Sequence, residues 1–253
     1  MMKLDLRKAY DSVQWSFLEQ LLRAFRFPSR FVNWIMTCIQ TVSYRICING
    51  QVTSPFSARK GLRQGDPASP YLFVLAMEYL SRMLKHLHTH PDYRFHPRCA
   101  GLGITHLSFA DDLLFFSKGT KKSVAAILNT FEKFSQSSGL EANLDKSEIY
   151  FGGLSEVKKR DITEAVQLKE GKLPFRYLGV PLNSKRLSIL QYQPLLDKML
   201  GKIRHWTAKL LSYGGRLQLV QIFSMQSKVF GARFSAFPQK SLKKGQICRA
   251  TVT

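Results

Sequence analysis

Leu107-Ser108-Phe109-Ala110-Asp111-Asp112-Leu113-Leu114-Phe115-Phe116 is the stretch that decides the fold of this chain. Two apolar segments flank an adjacent pair of carboxylates, a pattern that predicts two antiparallel strands over Leu107 to Ser117 with Asp111 and Asp112 at the tip. An Asp-Asp dipeptide between strands is ordinarily a solvated turn. Because two neighbouring carboxylates also suit a cation, the hairpin alone leaves both interpretations open.

A third carboxylate favours the cation site. Asp5 ends a short apolar segment and precedes a helical pattern, which is where a strand presents a side chain to a site. Phosphodiester formation needs carboxylates that hold two divalent ions about 3.5–4 Å apart. One ion activates the attacking hydroxyl and the other neutralises the leaving pyrophosphate. Asp5, Asp111 and Asp112 supply that minimum.

Five ordered motifs extend along the chain. They are Lys3 to Asp11 (block A), Gly61 to Pro70 (block B), Phe109 to Asp112 (block C), Ser138 to Ser147 (block D) and Phe175 to Leu182. In this order and spacing they resemble the palm of a reverse transcriptase, most closely those of plant non-LTR (LINE-type) retrotransposons. The resemblance covers about residues 3–237 and implies an RNA-directed DNA polymerase.

The resemblance assigns catalytic roles to four residues. Asp5, Asp111 and Asp112 match the metal-binding carboxylates of the family, which implies two bound Mg²⁺ ions. Asp5 and Asp111 are the expected direct ligands. Lys146 matches the block D lysine, a candidate to protonate the leaving pyrophosphate, although an isolated lysine is more often simply solvated.

Further residues are expected to bind the nucleotide or the template. Tyr10 falls where the family places a ring under the sugar, which would select deoxynucleotides; simple core packing is the alternative. Arg63, Gln64 and Gly65 match the block B positions that contact the nucleotide and template. The implied partners are an RNA template, a DNA primer and deoxynucleoside triphosphates. Two further acids, Asp11 and Asp66, are expected to be structural caps.

Periodicity predicts an α+β fold. The expected helices are Val13 to Phe25, Phe31 to Gln40, Tyr71 to His86 and Lys121 to Ser137, and Asn49-Gly50 predicts a hairpin turn. Ser147 to Phe151 is expected as an edge strand that closes a helix-backed antiparallel sheet of the split βαβ kind. The resemblance implies a palm over residues 1–153, a connecting helix and hairpin over 154–186, and a basic helical thumb over 187–253.

The charge predicts a polyanionic partner. The chain has 38 Lys and Arg against 17 Asp and Glu, a formal net charge of +21, with 45% apolar residues, which is enough for a packed core. Residues 184–253 hold 13 Lys and Arg and one acid, Asp197, so we expect this region to grip nucleic acid. A basic binding protein of the ribosomal type is the alternative from composition alone.

Other features narrow the class of protein. The four cysteines are widely spaced, which fits reduced thiols and a nuclear or cytoplasmic location rather than secretion. Three alternating histidines, His86, His88 and His90, precede His96 and Cys99, but alternate spacing does not place ligands on one helical face, so no zinc site is predicted. No apolar run is long enough to span a membrane, and no signal-peptide pattern is present.

Departures from the family leave a second hypothesis open. The chain begins almost at block A, so we expect a truncated fragment that lacks the fingers blocks, or a decayed copy of an element. A non-catalytic RNA-binding remnant is therefore the alternative to an active enzyme. An RNA-templated RNA polymerase is disfavoured by Ala110 before the Asp pair and by the bulky Tyr10.

Overall fold

The computed structural model of the protein describes residues 1–178 and 180–183, together with the single positions 197 and 218. It divides into two compact units, Met1–Gly171 and Lys172–Thr253. The helices of the first unit are α1 (Ala9–Ser12), α2 (Trp15–Ala24), α3 (Ser29–Gln40), α4 (Ser69–Lys85), α5 (Pro97–Ala100), α6 (Lys121–Ser138) and α7 (Glu156–Val166). A 3₁₀ turn, His86–Thr89, extends α4.

The strands form one five-stranded sheet and three small ribbons. They are β1 (Met2–Asp5), β2 (Ser43–Tyr44), β3 (Cys47–Ile48), β4 (Gln51–Val52), β5 (Phe56–Ser57), β6 (His106–Phe109), β7 (Asp112–Phe115), β8 (Glu148–Ile149), β9 (Lys169–Glu170), β10 (Phe175–Tyr177) and β11 (Val180–Leu182). The sheet order is β6-β7-β1-β8-β9. All its pairs are antiparallel except β8 with β9.

β1 is the central strand of the sheet, and its side chains alternate between two environments. Met2, Leu4 and Leu6 are almost fully buried in the hydrophobic core, whereas Lys3 and Asp5 between them are half-buried. Successive side chains of a strand point to opposite faces, so the apolar set of β1 faces the helices α2, α4 and α6. The polar set lies on the opposite face.

The start of α4 and both ends of α6 are explained by the residues found there. Pro70 lies in the first turn of α4, where its missing amide costs no hydrogen bond. Thr120 caps α6 by accepting from the amide of Ser123, and Gly139 ends that helix with a left-handed φ of +76°. Phe131 and Phe134 of α6 belong to the core. The α+β class, the helices and the hairpin around the Asp pair are confirmed.

One strand prediction is wrong. Ser147 to Phe151 was expected at the edge of the sheet, but β8 lies between β1 and β9. The chain returns through α7, and β9 pairs in parallel with β8. Lys169 and Glu170 are polar and exposed, so no hydrophobic pattern marked this strand. The first compact unit, Met1–Gly171, includes α7 and β9.

The remaining ribbons are short. Segment 43–57 contains two of them, β2 with β5 and β3 with β4, and the second has the expected Asn49-Gly50 turn with positive φ at both residues. In the second unit, β10 and β11 form the predicted hairpin. The predicted thumb lies almost wholly outside the described residues. Among those residues, no helix is long and apolar enough to cross a membrane.

Candidate active site

The hairpin tip places Asp111 in a two-residue turn and Asp112 at the start of β7. Phe109 pairs with Asp112, so Ala110 and Asp111 alone make the connection. Ala110 has a φ of +50°, a left-handed conformation that costs an L-residue about 1–2 kcal/mol. The turn is also tied to β1, because the amide of Leu6 donates to the carbonyl of Asp111 over 3.2 Å. Asp111 therefore lies beside the end of β1, and its side chain is exposed.

Asp5 and Asp112 are direct cross-strand neighbours on one face of the sheet. The register of β1 and β7 pairs them, and paired residues of antiparallel strands have Cα atoms about 4.5–5.5 Å apart. Both side chains are half-buried, while the adjoining Leu4 and Leu113 point into the core on the other face. The three predicted carboxylates thus come from two adjacent central strands and the turn that joins one of them to β6.

A lysine lies beside these carboxylates. Lys3 is on the same face of β1 as Asp5 and places its Nζ 3.7 Å from Oδ1 of Asp112. The two side chains of this ion pair are only 23% and 27% exposed, so solvent screens the pair less than it would at an open surface. Lys3 therefore offsets part of the repulsion among the carboxylates and competes with a cation for Asp112.

The chemistry and backbone placement of these residues fit magnesium. Carboxylate oxygens are the ligands that hard divalent cations prefer, and the strand register holds Asp5 next to Asp112. The side chains themselves do not form a closed metal site. Over residues 1–178 and 180–183, no group of three or more acidic, histidine or cysteine side chains is placed to hold a metal ion. A cation that binds Oδ1 of Asp112 must displace Lys3 from it.

The block D loop is anchored directly to Asp5. The amide of Asp5 donates to Oγ of Ser147 over 3.2 Å, and the carbonyl of Asp5 accepts from the amide of Asn143 over 2.7 Å. Ser147 is buried, and its hydroxyl donates to the carbonyl of Asn143 over 2.7 Å. Lys146 precedes Ser147 in this loop with an exposed side chain. The fold therefore brings the Lys146 loop to the backbone of Asp5, with the amine accessible to solvent.

Block B lies against α1, and Gly61 makes that contact possible. The amide of Gly61 donates to the carbonyl of Val13 over 2.8 Å, and its carbonyl accepts from Nε1 of Trp15 over 2.7 Å. Gly61 has a φ of +89°, and a Cβ there would lie 2.8–2.9 Å from backbone atoms of Asp11. The backbone of block B therefore approaches α1 so closely that only glycine fits at this position.

The residues expected to contact the nucleotide or template lie in the same loop, just after Leu62. Arg63, Gln64 and Gly65 are all exposed. Asp66 then accepts a hydrogen bond from the amide of Ala68 over 2.7 Å just before α4, which is the structural role expected of it. The exposed part of block B thus lies between two fixed points, the α1 contact and the start of α4.

Tyr10 combines a packing role with its position beside the site. Its ring stacks on Phe73 of α4, with centroids 5.0 Å apart and an interplanar angle of 15°. Its carbonyl accepts from the amide of Leu62 over 2.7 Å. The side chain remains half-buried rather than enclosed. One face of the ring therefore packs on α4, and the contact of Tyr10 with block B is made by its backbone.

Two residues that contact the proposed site, Lys3 and Ser147, were not predicted from the sequence. Lys3 was not singled out, although its spacing of two residues from Asp5 already placed it on the same strand face. Ser147 was noted only as part of block D, and no sequence pattern marks a buried hydroxyl that receives the amide of a distant strand.

A helix-backed sheet with acidic residues on two adjacent central strands is the arrangement of a nucleic-acid polymerase palm. The profile of the family described as reverse transcriptase (RNA-dependent DNA polymerase) matches residues 1–182. This match covers more than half of the chain, which therefore belongs to that family. The predicted family is confirmed.

Two similar proteins are named as products of retrotransposable elements. The chain is 35% identical over 111 residues to a retrovirus-related Pol polyprotein from type-1 retrotransposable element R2 of Popillia japonica, covering 44% of this chain and 18% of the relative. It is 31% identical over 144 residues to the corresponding polyprotein of type-2 element R2DM of Drosophila melanogaster, covering 56% and 13%. The matches span less than a fifth of either relative. The plant origin and the truncation stay predictions.

A solved structure of apo telomerase from Candida tropicalis, truncated from its C-terminal domain, is also similar in backbone. The TM-score is 0.47 at 15% sequence identity, and the match covers 61% of this chain and 31% of the telomerase chain.

Proposed function

We propose that this chain contains the catalytic palm of an RNA-directed DNA polymerase of a non-LTR retrotransposon. It would extend a DNA primer on an RNA template with deoxynucleoside triphosphates. The observation that supports this most directly is the pairing of Asp5 with Asp112 beside Asp111, because nucleotidyl transfer needs clustered carboxylates on a rigid support. Membership of the reverse transcriptase family supports the same reaction.

Asp5 and Asp111 are the proposed direct ligands of two Mg²⁺ ions, with Asp112 adjoining them. Bound Mg²⁺ would lower the pKa of the primer hydroxyl and stabilise the charge on the pyrophosphate. Asp5 is the most rigid of the three, since its amide and carbonyl are both hydrogen-bonded to the block D loop. Asp111 lies on a turn, and its freedom to rotate suits a ligand that closes on the metal together with the nucleotide.

The neighbouring residues are proposed to position the nucleotide. Tyr10 would place its ring under the deoxyribose, where stacking on Phe73 prevents it from yielding to a 2′-hydroxyl. Arg63, Gln64 and Gly65 would contact the nucleotide and template from the exposed loop that follows Gly61. Lys146 would donate a proton to the pyrophosphate, since its loop is fixed to Asp5 and its amine is accessible.

A non-catalytic RNA-binding protein is the second candidate. The ion pair of Lys3 with Asp112 favours it, because that pair occupies a carboxylate that the enzyme needs for its metal. The net charge of +21 supports nucleic-acid binding under either proposal. Metal binding at the carboxylates therefore distinguishes the two proposals better than affinity for RNA does.

The decisive experiment maps the metal directly. Fe²⁺ would be substituted for Mg²⁺, and hydroxyl radicals generated with ascorbate and peroxide would cut the backbone near the bound ion. We expect cleavage close to Asp5 and to the turn at Asp111, abolished by excess Mg²⁺ and by the double change Asp111→Asn and Asp112→Asn. Asp161→Asn, an exposed acid on α7, is the matched control and should keep the wild-type pattern.

Primer extension completes the test. With an RNA template, a DNA primer and Mg²⁺, the wild-type chain and Asp161→Asn should incorporate deoxynucleotides, and the double Asn variant should not. Site-specific cleavage without incorporation would leave a metal-binding palm that is inactive in this form. Absence of both would favour the RNA-binding protein, and synthesis that survives the double Asn change would show that these carboxylates are not the metal ligands.

A further inference from the structure

Segment 20–65 differs from the rest of the chain in charge. It contains seven Lys and Arg and not one Asp or Glu, between Glu19 and Asp66. Arg23 is neutralised by Glu19, with Nη2 2.7 Å from Oε1. The other six basic residues are exposed, and no described carboxylate forms an ion pair with them. They are Arg26, Arg30, Arg45, Arg59, Lys60 and Arg63. This surface therefore presents positive charge that no acid in the described residues balances.

The same segment exposes aromatic rings. Trp34 on α3 is 57% exposed, and Tyr44 and Phe56 are 38% and 48% exposed. Tyr44 and Phe56 face each other across β2 and β5 with ring centroids 6.1 Å apart. The guanidinium of Arg30 lies 4.9 Å from the ring centroid of Trp34. Arg30 and Trp34 are therefore neighbours on α3, and Tyr44 and Phe56 are neighbours on β2 and β5, of which β2 begins three residues after α3 ends.

The two ribbons of segment 43–57 leave their side chains exposed. Every residue of β2, β3, β4 and β5 is exposed. A two-stranded ribbon is marginally stable alone in water, and exposed apolar patches of this kind mark interaction sites. An unbalanced positive charge together with exposed aromatic rings matches one class of partner, a single-stranded nucleic acid. Its phosphates bind basic side chains, and its unpaired bases stack on aromatic rings.

We propose that Trp34, Tyr44 and Phe56, flanked by Arg30 and Arg45, form a stacking surface for single-stranded nucleic acid. These five residues are called the ribbon surface below. It lies in a different part of the sequence from the paired carboxylates, and it requires no metal. The proposal therefore does not rest on catalysis and would hold equally for an enzyme and for an RNA-binding protein.

The stacking component is tested with a labelled, unstructured oligouridine of about 16 nucleotides. Its affinity for the full chain would be measured by fluorescence anisotropy. We expect Trp34→Ala to weaken binding between about fivefold and 150-fold, since one base–ring stack contributes that much. Trp34→Phe should retain most of the affinity. A fully paired RNA duplex should bind Trp34→Ala as it binds wild type, because paired bases offer no free face to the ring.

The charge component has a matched pair of variants. Arg45→Gln and Lys158→Gln each remove one exposed positive charge, the first from the ribbon surface and the second from α7. General attraction by the +21 chain falls equally in both variants. A phosphate contact at Arg45 should reduce the slope of log affinity against log salt by about 0.7 in Arg45→Gln alone.

Crosslinking locates the strand independently of affinity. Oligouridine containing 4-thiouridine should crosslink under ultraviolet light to peptides that contain Trp34 or Tyr44. The proposal is overturned if crosslinks fall only outside segment 20–65 while Trp34→Ala and Arg45→Gln bind like wild type. It is also overturned if wild type is a dimer that Trp34→Ala converts to a monomer without a change in RNA affinity. In that case the surface binds a second copy of the chain.

Discussion

Two glycines with nearly the same backbone conformation have very different surroundings, and that difference predicts the cost of a methyl group at each. Gly61 and Gly65 have φ of +89° and +88°. A Cβ at Gly61 would lie 2.8–2.9 Å from three backbone atoms of Asp11, whereas nothing lies within 4 Å of a Cβ at Gly65. Alanine at either position therefore incurs the same backbone penalty, but only Gly61→Ala creates a steric clash.

The expected magnitudes follow from these two terms. The left-handed conformation costs an L-residue about 1–2 kcal/mol, which is the whole loss expected for Gly65→Ala. At Gly61 the obstructing atoms are backbone, so block B must move away from α1. That movement breaks the hydrogen bonds from the amides of Gly61 and Leu62 to Val13 and Tyr10, now 2.8 and 2.7 Å long. At about 1 kcal/mol each, they bring the loss for Gly61→Ala to roughly 3–4 kcal/mol.

The assay is urea unfolding of both variants and wild type, followed by circular dichroism, with amide hydrogen exchange as a local measurement. Gly61→Ala should lose about 2 kcal/mol more stability than Gly65→Ala, and the Leu62 amide should exchange faster in Gly61→Ala alone. Equal losses in the two variants would refute the reasoning. So would an unchanged Leu62 exchange rate in Gly61→Ala, because the block B contact would then have survived the added methyl group.

Three further changes have defined outcomes. Lys3→Met should tighten Mn²⁺ binding about fivefold, since a unit charge 3.7 Å from Asp112 contributes about 1 kcal/mol in water. An unchanged Mn²⁺ affinity in isothermal titration calorimetry would show that Lys3 does not compete with the metal for Asp112. Burial lowers the pKa of His106 below its usual 6.5, assisted by the charge of Lys85. The unfolded chain therefore takes up a proton that the native chain refuses, and stability should fall as pH drops below 6.5; His106→Gln should weaken that dependence in melting experiments. Tyr93→Phe deletes a 2.8 Å hydrogen bond to the carbonyl of Phe116 and should lower the free energy of unfolding by about 1–3 kcal/mol. An unchanged melting temperature would show that this hydrogen bond does not stabilise the fold.

The parts of the fold that sequence predicted are those encoded by local pattern. The Asp pair between apolar segments predicted β6 and β7, Asn49-Gly50 predicted its turn, and Gly139 predicted the end of α6. Each of these signals acts within a few residues, through turn geometry or a helical stop. The central position of β1 was not predicted, because a four-residue strand has no pattern that fixes its place in a sheet.

The parts that sequence missed depend on pairing between distant segments. β9 is two exposed polar residues, Lys169 and Glu170, and its strand character arises only from hydrogen bonds to β8. The edge position expected for β8 was wrong for that reason. Lys3 was missed because its role requires Asp112, which is 109 positions away in the sequence and adjoins it only after the β1–β7 register is set.

Backbone contacts also explain why the anchoring of blocks B and D leaves so little trace in the sequence. Block D reaches β1 through the carbonyl and amide of Asp5, and block B reaches α1 through the carbonyls of Tyr10 and Val13. A backbone acceptor is present at every residue, so such contacts restrict side-chain identity only where the approach is closest, as at Gly61. The arrangement separates two requirements. The position of Asp5 depends on main-chain hydrogen bonds and on the hydroxyl of Ser147, whereas the proposed metal binding depends on three acids. A variant at Asp111 should therefore change the proposed metal binding without unfolding the protein, whereas a variant at Gly61 should disturb the fold without removing a proposed metal ligand.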